Sequence, residues 1–444
     1  MAATSTPRFE FPERIAVGDT VVISGGDTKR LVVVKKNNVQ KLCKCNVDFG
    51  SLVGQLYGSV VELDEKARKF VPSKENPDLD RSSVDVAATE IQRKDNRNLD
   101  DTHGANQTLD QDKLAELKAT TGVKGLVDKL VEQSKTFETK TAFAQEKYVR
   151  KKQAKYALLF KVERMTIDNY TDIKIPTCNP DTQESPDDSK ALQIRIDSIA
   201  QILHYGSIRY NSRLLLVDDT NGILPAAILS RMTEEGQLYH ALQGKSQPQM
   251  SHAKAMHLPD VKKRWTAIPF DVLTQPEKYP ELSDEAEEAK RKNKKIWGDE
   301  ENRQSQWLGG RAANALLTVS PVETLIVAKL DPLEEVVRLL PFVSLSGTIV
   351  AYSPCAEPLY RLFNVLKCCA VNIRVADTWY REYQVLPQRT HPTVTMSGTG
   401  GFILSATKIE GPLPVITPSP VSSTVQAVST EDVGERSPKK ARTE

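Results

Sequence analysis

The sequence predicts an α/β protein: a small N-terminal β-barrel, a helical linker and then a Rossmann-like domain. Short runs rich in β-branched residues fill positions 13–70, amphipathic helical patterns fill 110–156, and apolar strands alternate with helices from residue 190. The first pattern needs a curled antiparallel sheet to bury its strands. The last needs a mostly parallel sheet covered by helices on both faces.

ERIAVGDTVVIS (13–24) and TKRLVVVKK (28–36) are split by Gly25-Gly26-Asp27, a hairpin signal. KLCKCNV (41–47) and GSVVELD (58–64) continue the strand pattern, and a polar stretch with two prolines follows, so residues 13–94 are assigned to the barrel and a linker. Residues 95–189 read as a helical RNA-binding or linker region. LDQDKLAELKATTG has Asp110 as a plausible N-cap and stops at Gly122. VKGLVDKLVEQSKTF and a segment from about Lys140 to Tyr156 give two further helices, and ALLFKVERM (157–165) reads as a strand.

The Rossmann-like domain is assigned to residues 190–410. Its helices are KALQIRIDSIAQILHYG, GILPAAILSRM, PLEEVVRLLPFV and AEPLYRLFNVLKCC; its strands are RLLLVDD, GQLYHALQG, ETLIVAKLD and SGTIVAYS. It closes from VNIRVADTW to GGFILSATKI as a strand followed by a terminal β hairpin. A charged insertion at 274–308 interrupts it. Residues 411–444, rich in Pro, Ser, Thr and Val, read as a disordered tail.

Lys and Arg number 60 against 58 Asp and Glu, so the formal net charge of +2 hides segregation. Basic residues crowd 147–163 and the extreme C-terminus, and acidic ones crowd 277–302. A local basic cluster in a balanced chain points to a defined anionic partner. No apolar run approaches the roughly 18–20 residues of a bilayer span. The N-terminal MAATSTPRFEFPER lacks an apolar signal stretch, so a cytosolic or nuclear protein is expected. Six cysteines do not suggest a disulfide framework, and Cys43 and Cys45 have no second ligand pair, so no metal site is expected. Cys368 and Cys369 close a helix pattern and read as core residues.

The succession of elements, with the hairpin last, resembles the class I methyltransferase fold. That resemblance implies S-adenosylmethionine at the first strand-to-helix turn, where glycines admit the ligand and the next strand ends in a ribose-binding carboxylate. Here the turn reads Asp218-Asp219-Thr220-Asn221-Gly222, followed by Ile223, with a single glycine. Asn221 and Ile223 are expected to carry side chains into the ligand's space. GQLYHALQG offers Tyr239, His240 and Gln243 in place of the acid. The expectation is a degenerate cofactor site.

Three longer motifs are more specific: Asp95-Asn96-Arg97-Asn98-Leu99-Asp100-Asp101, AFAQEKYVRKKQAKY (142–156) and ADTWYREYQVLPQRTHPTVTMSGTGGFILSA (376–406). With ILHYGSIR (202–209), they resemble the signature blocks of the non-catalytic subunit of the eukaryotic tRNA adenine-58 N1-methyltransferase. The resemblance covers roughly residues 13–270 and 310–410. It implies a chain without catalytic residues or cofactor of its own, whose catalytic partner subunit carries S-adenosylmethionine. It further implies a heterotetramer of two heterodimers that grips tRNA across both subunit types and forms 1-methyladenosine in the T-loop.

The residues expected at the tRNA fall in three groups. On the helix around 144–156, Lys147, Lys151 and Lys155 form one stripe, Tyr148, Lys152 and Tyr156 its neighbour, and Arg150 adds a further charge. Like charges at spacing four repel, and a polyanion relieves this. A solvated helix with its tyrosines facing the core is the other reading. Asn96, Arg97, Asn98, Asp100 and Asp101 suit phosphates, base edges or 2′-hydroxyls, or equally a turn that caps the next helix. By resemblance the loop bearing Gln384, Gln388, Arg389, Thr390 and His391 faces the tRNA, as does Lys367 to Ile373, which includes Asn372. Prolines 387 and 392 are expected to stiffen that loop, with Trp379 and Tyr383 packed beneath it.

Two alternatives stay open. Asp331-Pro332 after TLIVAK either caps the next helix or supplies the catalytic Asp of an active S-adenosylmethionine-dependent methyltransferase. The tail's RSPKKAR (436–442) is compatible with a nuclear signal or with a solubilising terminus.

Overall fold

The computed structural model describes residues 11–25, 28–42, 45–64, 66–73, 125–134, 137, 141, 144–145, 148–149, 152, 156, 158–174, 192–243, 248–278, 306–386, 389–392 and 400–414. Strands β1 (Thr20–Gly25) and β2 (Thr28–Val33) form the expected hairpin, with Gly25 opposite Thr28. β3 (Val39–Leu42), β4 (Cys45–Asp48), β5 (Val60–Asp64) and β6 (Lys69–Pro72) follow. Between β1 and β5 lies β7 (Leu159–Arg164), giving the order β2-β1-β7-β5-β6-β4-β3. Residues 157–165 thus read correctly as strand. That strand sits inside the segment assigned to the helical region but pairs with the N-terminal sheet, because Phe160 and Val162 are needed in its core.

The sheet curls until its two edge strands meet. Arg30 on β2 donates to the Lys41 carbonyl at 3.0 Å and to Gln40 Oε1 at 2.7 Å, both on β3. Val21, Ile23, Val47, Phe49, Leu52, Val61 and Phe160 fill the interior. The apolar burial of these side chains contributes roughly 1.5–3 kcal/mol each.

Helix α1 (Ile167–Lys174) joins this unit to the second sheet. Ile167 and Tyr170 pack on the second core, as does Leu31 of β2. At the same junction the Tyr57 hydroxyl donates to Asp19 Oδ2 at 2.7 Å and lies 3.2 Å from His257 Nε2.

The second sheet is built from α2 (Ile196–Tyr205), β8 (Arg213–Asp218), α3 (Ile223–Arg231), β9 (Gln237–Leu242), β10 (Trp265–Pro269) and the two-residue β11 (Gln306–Trp307). α4 (Gly310–Val319), β12 (Val322–Ala328), α5 (Leu333–Leu339), β13 (Val343–Ser353), α6 (Ala356–Leu366) and β14 (Ala370–Asp377) follow. A separate hairpin, β15 (Tyr383–Leu386) with β16 (Arg389–Pro392), precedes β17 (Phe402–Lys408).

The order is β11-β10-β9-β8-β12-β13-β17-β14, parallel throughout except that β17 runs antiparallel between β13 and β14. Without the short edge strand β11, and counted in chain order from β8, the strands run 3-2-1-4-5-7-6. That is the class I methyltransferase arrangement. Both faces are covered, as continuous apolar strands require: Leu214 and Leu216 point into one core with α2 and α3, and Leu215 and Val217 into another with α4, α5 and α6. β10 and α4 were not assigned from the sequence. WTAIP is too short to show a period, and α4 adjoins the charged insertion.

Candidate functional site

β8 delivers Asp218 into the first strand-to-helix turn, where its own turn encloses it. Asp218 Oδ1 accepts from the Thr220 N–H at 3.1 Å and from the Thr220 hydroxyl at 2.5 Å, and Oδ2 accepts from the Gly222 N–H at 3.1 Å. Thr220 Oγ1 then accepts from the Leu224 N–H at 3.2 Å, satisfying a free donor of the first turn of α3. Burial pushes the Asp218 carboxyl up to about 6 against the opposing pull of these hydrogen bonds. Burial also raises Asp219, with Lys329 pulling the other way.

Asn221 and Gly222 take left-handed backbone, with φ of 56° and 86°. Gly222 has a second reason to be glycine: a Cβ there would lie 2.1 Å from the Gln249 carbonyl oxygen. The chain beyond β9 therefore lies directly on the turn. The expectation for Ile223 is corrected. Its side chain is buried in the core beside Leu224 and Ile228 and takes no ligand space, because the first residue of α3 turns back under the sheet.

Other side chains stand across the strand ends. Gln243 follows β9 and Lys329 follows β12, the two neighbours of β8. Lys329 Nζ donates to Gln243 Oε1 at 2.8 Å and to Glu335 Oε1 at 2.7 Å, and Gln243 Nε2 donates to the same Glu335 oxygen at 2.5 Å. This triangle bridges β9 and β12 over the end of β8. Glu335, in the first turn of α5, was not singled out from the sequence; its signal was an acid four residues after Asp331 on an otherwise apolar helix face. Three residues before Gln243, on β9 itself, His240 is buried against Trp265, ring centroids 5.7 Å apart, and neither ring nitrogen has a hydrogen-bond partner among the described residues. Burial lowers its pKa to about 3, so it is neutral.

Asp331 stands one residue before the N-cap of α5, which is Pro332, and not at the cap itself. Its Oδ1 accepts from the Leu333 N–H at 3.3 Å, and its Oδ2 pairs with Arg361 of α6 at 2.6 Å, both side chains being half exposed.

The segments expected to face RNA are placed in part. Helical backbone is present at 144–145, 148–149, 152 and 156. The Tyr148 ring is held between Phe137, edge-on at 5.7 Å, and Lys152, whose Nζ lies 5.2 Å from the ring centroid. Positions 148 and 152 thus share a face, as a spacing of four requires. Lys147, Arg150, Lys151, Lys155 and the whole run Asn96, Arg97, Asn98, Asp100 and Asp101 lie outside the described residues, as does Gln388. Lys367 is exposed, with Nζ 2.9 Å from Asn364 Oδ1 and 5.0 Å from the Phe363 ring centroid. Asn372 is exposed in left-handed backbone, at a register shift where β14 meets β17.

The segment read as a loop at 384–391 is the β15–β16 hairpin, pairing Gln384 with His391, Val385 with Thr390 and Leu386 with Arg389. A hydrogen-bonded ladder therefore stiffens it beyond what its prolines do. His391 Nδ1 lies 2.8 Å from the Pro392 carbonyl. Trp379 and Tyr383 do not pack beneath it: they are 87% and 57% exposed, and Val385 is 74% exposed. The hairpin is a two-stranded sheet of its own, not hydrogen-bonded into the main sheet. Cys369 is buried as expected, while Cys368 is exposed.

A second cluster, not anticipated, grips both roots of that excursion. Buried Arg195 pairs with Asp197 at 2.6 Å and donates to Thr378 Oγ1 at 3.2 Å, where the chain leaves β14. Where it returns, the Gly400 carbonyl accepts from Ser198 Oγ at 2.6 Å and from the Tyr352 hydroxyl at 3.2 Å.

A family model described as the Gcd10p family matches residues 14–298. The tRNA (adenine(58)-N(1))-methyltransferase non-catalytic subunit of Dictyostelium discoideum is 30% identical, over 90% of this chain and 80% of its own length. The mouse (Mus musculus) protein of the same description is 27% identical over 87% of each chain. A solved S-adenosylmethionine-dependent O-methyltransferase from Thermotoga maritima matches with a TM-score of 0.49 and 10% identity, covering 89% of this chain and 95% of its own.

Proposed function

The chain belongs to the Gcd10p family, and from that premise we propose that it is the non-catalytic, tRNA-binding subunit of a tRNA adenine-58 N1-methyltransferase. With a catalytic subunit it serves to form 1-methyladenosine in the tRNA T-loop. The relatives that match nearly its whole length carry that description.

The observation that carries the non-catalytic reading is the arrangement at the strand ends. A methyl donor needs a ribose-binding carboxylate after β9 and open backbone at the turn. This chain has Gln243 after β9, and its amide is bonded to Lys329 and Glu335. Both Asp218 oxygens accept hydrogen bonds from the turn itself, and Gln249 covers Gly222. These residues do not fit S-adenosylmethionine, so no reaction step is assigned to them; the donor belongs in the catalytic partner. Asp331 is tied to the Leu333 N–H at the start of α5 and to Arg361.

The tRNA contacts are assigned to the basic helix 144–156, the 95–101 run, the Lys367–Ile373 segment and the β15–β16 hairpin. Assembly as two heterodimers and a nuclear location complete the reading. The test is a titration of S-adenosylmethionine and unmodified tRNA into the purified chain, alone and with its catalytic subunit. No saturable donor binding and no methylation by the chain alone are expected, with both restored by the partner. Micromolar donor binding by the lone chain would refute the reading.

A further inference from the structure

The proposed RNA-binding helix runs into the N-terminal sheet, and the sheet's register shows what lies beside its end. The Leu158 carbonyl, just past the helix, accepts from the Leu63 N–H at 3.0 Å. Asp64, the next residue, pairs with Lys69, and Lys69 with Asp48, which in turn pairs with Val39. One edge of the sheet therefore presents, in a row, the helix end, the turn at 64–69 and the turn at 35–38. Three strand spacings of about 4.8 Å make that row roughly 15 Å across from β5 to β3.

Both turns are basic. Lys66, Arg68 and Lys69 project from one, and Lys35 and Lys36 from the other, all five exposed. Among the described residues none of the five side chains is in an ion pair or a hydrogen bond. The described acids between them are engaged by backbone. Asp48 Oδ1 accepts from the Gly50 N–H at 2.9 Å, and Asp64 Oδ1 accepts from the Lys66 and Ala67 N–H groups at 2.9 and 3.0 Å. Glu65 lies outside the described residues. The turns are fixed as well: Asn37 and Arg68 hold left-handed backbone at φ of 56° and 55°, the Asp48 N–H donates to the Arg68 carbonyl, and the Phe49 N–H donates to the Asn38 carbonyl. Five cations unpaired among the described residues, held on ordered backbone with Asp48 and Asp64 bonded to the chain, are a surface for a polyanion.

We infer that the turns at 35–38 and 64–69 form a second phosphate-binding surface for tRNA, continuous with the basic helix and reading backbone rather than bases. The inference rests on the tRNA-binding reading and extends its contact area onto the N-terminal sheet. Lysine and arginine without interleaved exposed aromatic side chains suit phosphates; base stacking needs aromatic faces.

The test uses the full chain assembled with its catalytic subunit and labelled, unmodified tRNA at a series of salt concentrations. One variant carries Lys35→Glu, Lys36→Glu, Lys66→Glu, Arg68→Glu and Lys69→Glu; a second changes the same residues to Gln; a third carries Lys151→Glu, Lys152→Glu and Lys155→Glu. The turn variants are expected to bind at least about tenfold more weakly, with a salt slope reduced by roughly 0.7–0.9 per lost phosphate contact. Their melting temperature should match the parent's, and the Gln variant should show the same loss of slope should the Glu variant fold poorly. An unchanged slope in the turn variants beside a reduced one in the helix variant would overturn the inference and leave the tRNA-binding reading intact. Failure of the parent complex to bind tRNA would remove that reading itself. Loss of the catalytic subunit from the turn variants would also overturn the inference, by making the surface a protein interface.

Discussion

Lys329 Nζ lies 2.7 Å from Glu335 Oε1, joining the end of β12 to the first turn of α5, with only 16% and 5% of the two side chains exposed. Removing the cation leaves a buried carboxylate whose other hydrogen bond comes from Gln243. Lys329→Met is expected to cost about 3–5 kcal/mol, the range for breaking a buried pair from one side. Chemical denaturation would check this. Lys329→Met with Glu335→Leu should recover part of the loss, since an apolar pair of similar volume avoids the desolvation cost.

Two buried groups should shape the acid limb of the stability curve in opposite senses. Asp218 has a folded pKa of about 6, above its ordinary 3.8, so the folded state holds its proton more tightly and stability rises as pH falls from about 6 to 4. His240 has a folded pKa of about 3, below its ordinary 6.5, so stability falls as pH falls from about 6.5 to 3. Asp218→Asn should therefore steepen acid unfolding and His240→Leu should flatten it. Urea midpoints measured between pH 4 and 7 distinguish these from a uniform loss.

Gly222→Ala combines a strained φ with a clash against the Gln249 backbone. A loss of more than about 1 kcal/mol is expected, because left-handed strain adds to overpacking. Asn221→Gly, at the adjacent left-handed position, should be neutral or slightly stabilising. Thermal melts of the pair would show the contrast.

Arg195→Ala should loosen both roots of the β15–β16 excursion, since Thr378 loses its guanidinium partner beside the Ser198–Gly400 contact. The expected cost is below the roughly 3–5 kcal/mol of a fully buried pair, since Asp197 is only partly buried. Arg195→Lys keeps the charge but cannot reproduce the fork, so it should be only partly rescued. Hydrogen exchange at 383–386 should quicken in both variants; protection equal to the parent's would count against the tether.

Asp331→Asn removes an exposed ion pair with Arg361, worth no more than about 0.5–1 kcal/mol. The assembled complex should methylate tRNA at an unchanged rate. A large fall in turnover at saturating tRNA would return Asp331 to a catalytic role.

The fold was legible where period and composition agreed. The β1–β2 hairpin, the continuous strands RLLLV and TLIVA, and the amphipathic α2 and α6 fall where the sequence puts them. β10 was missed because a five-residue strand between two short helices carries no period. The turn at Asp218 was legible as unusual, yet what stands over it was not. The Gln243–Lys329–Glu335 triangle joins residues up to 92 apart in the chain, and only the strand order brings them together. Trp379 and Tyr383 misled for the reverse reason: large aromatics are usually buried, and here a hairpin outside the main sheet leaves them exposed.

The position of β7 sets a rule for cutting this chain. The strand lies in the middle of the N-terminal sheet, yet 86 residues separate it from β6. A fragment that stops before residue 159 lacks the strand that joins β1 to β5, and the two-stranded β1–β2 ribbon, tied to β3 only through Arg30, is too small to persist alone in water. On the ribosome that ribbon must wait for residues 159–164 to emerge, so the basic helix is synthesised before the first sheet can close around its own core.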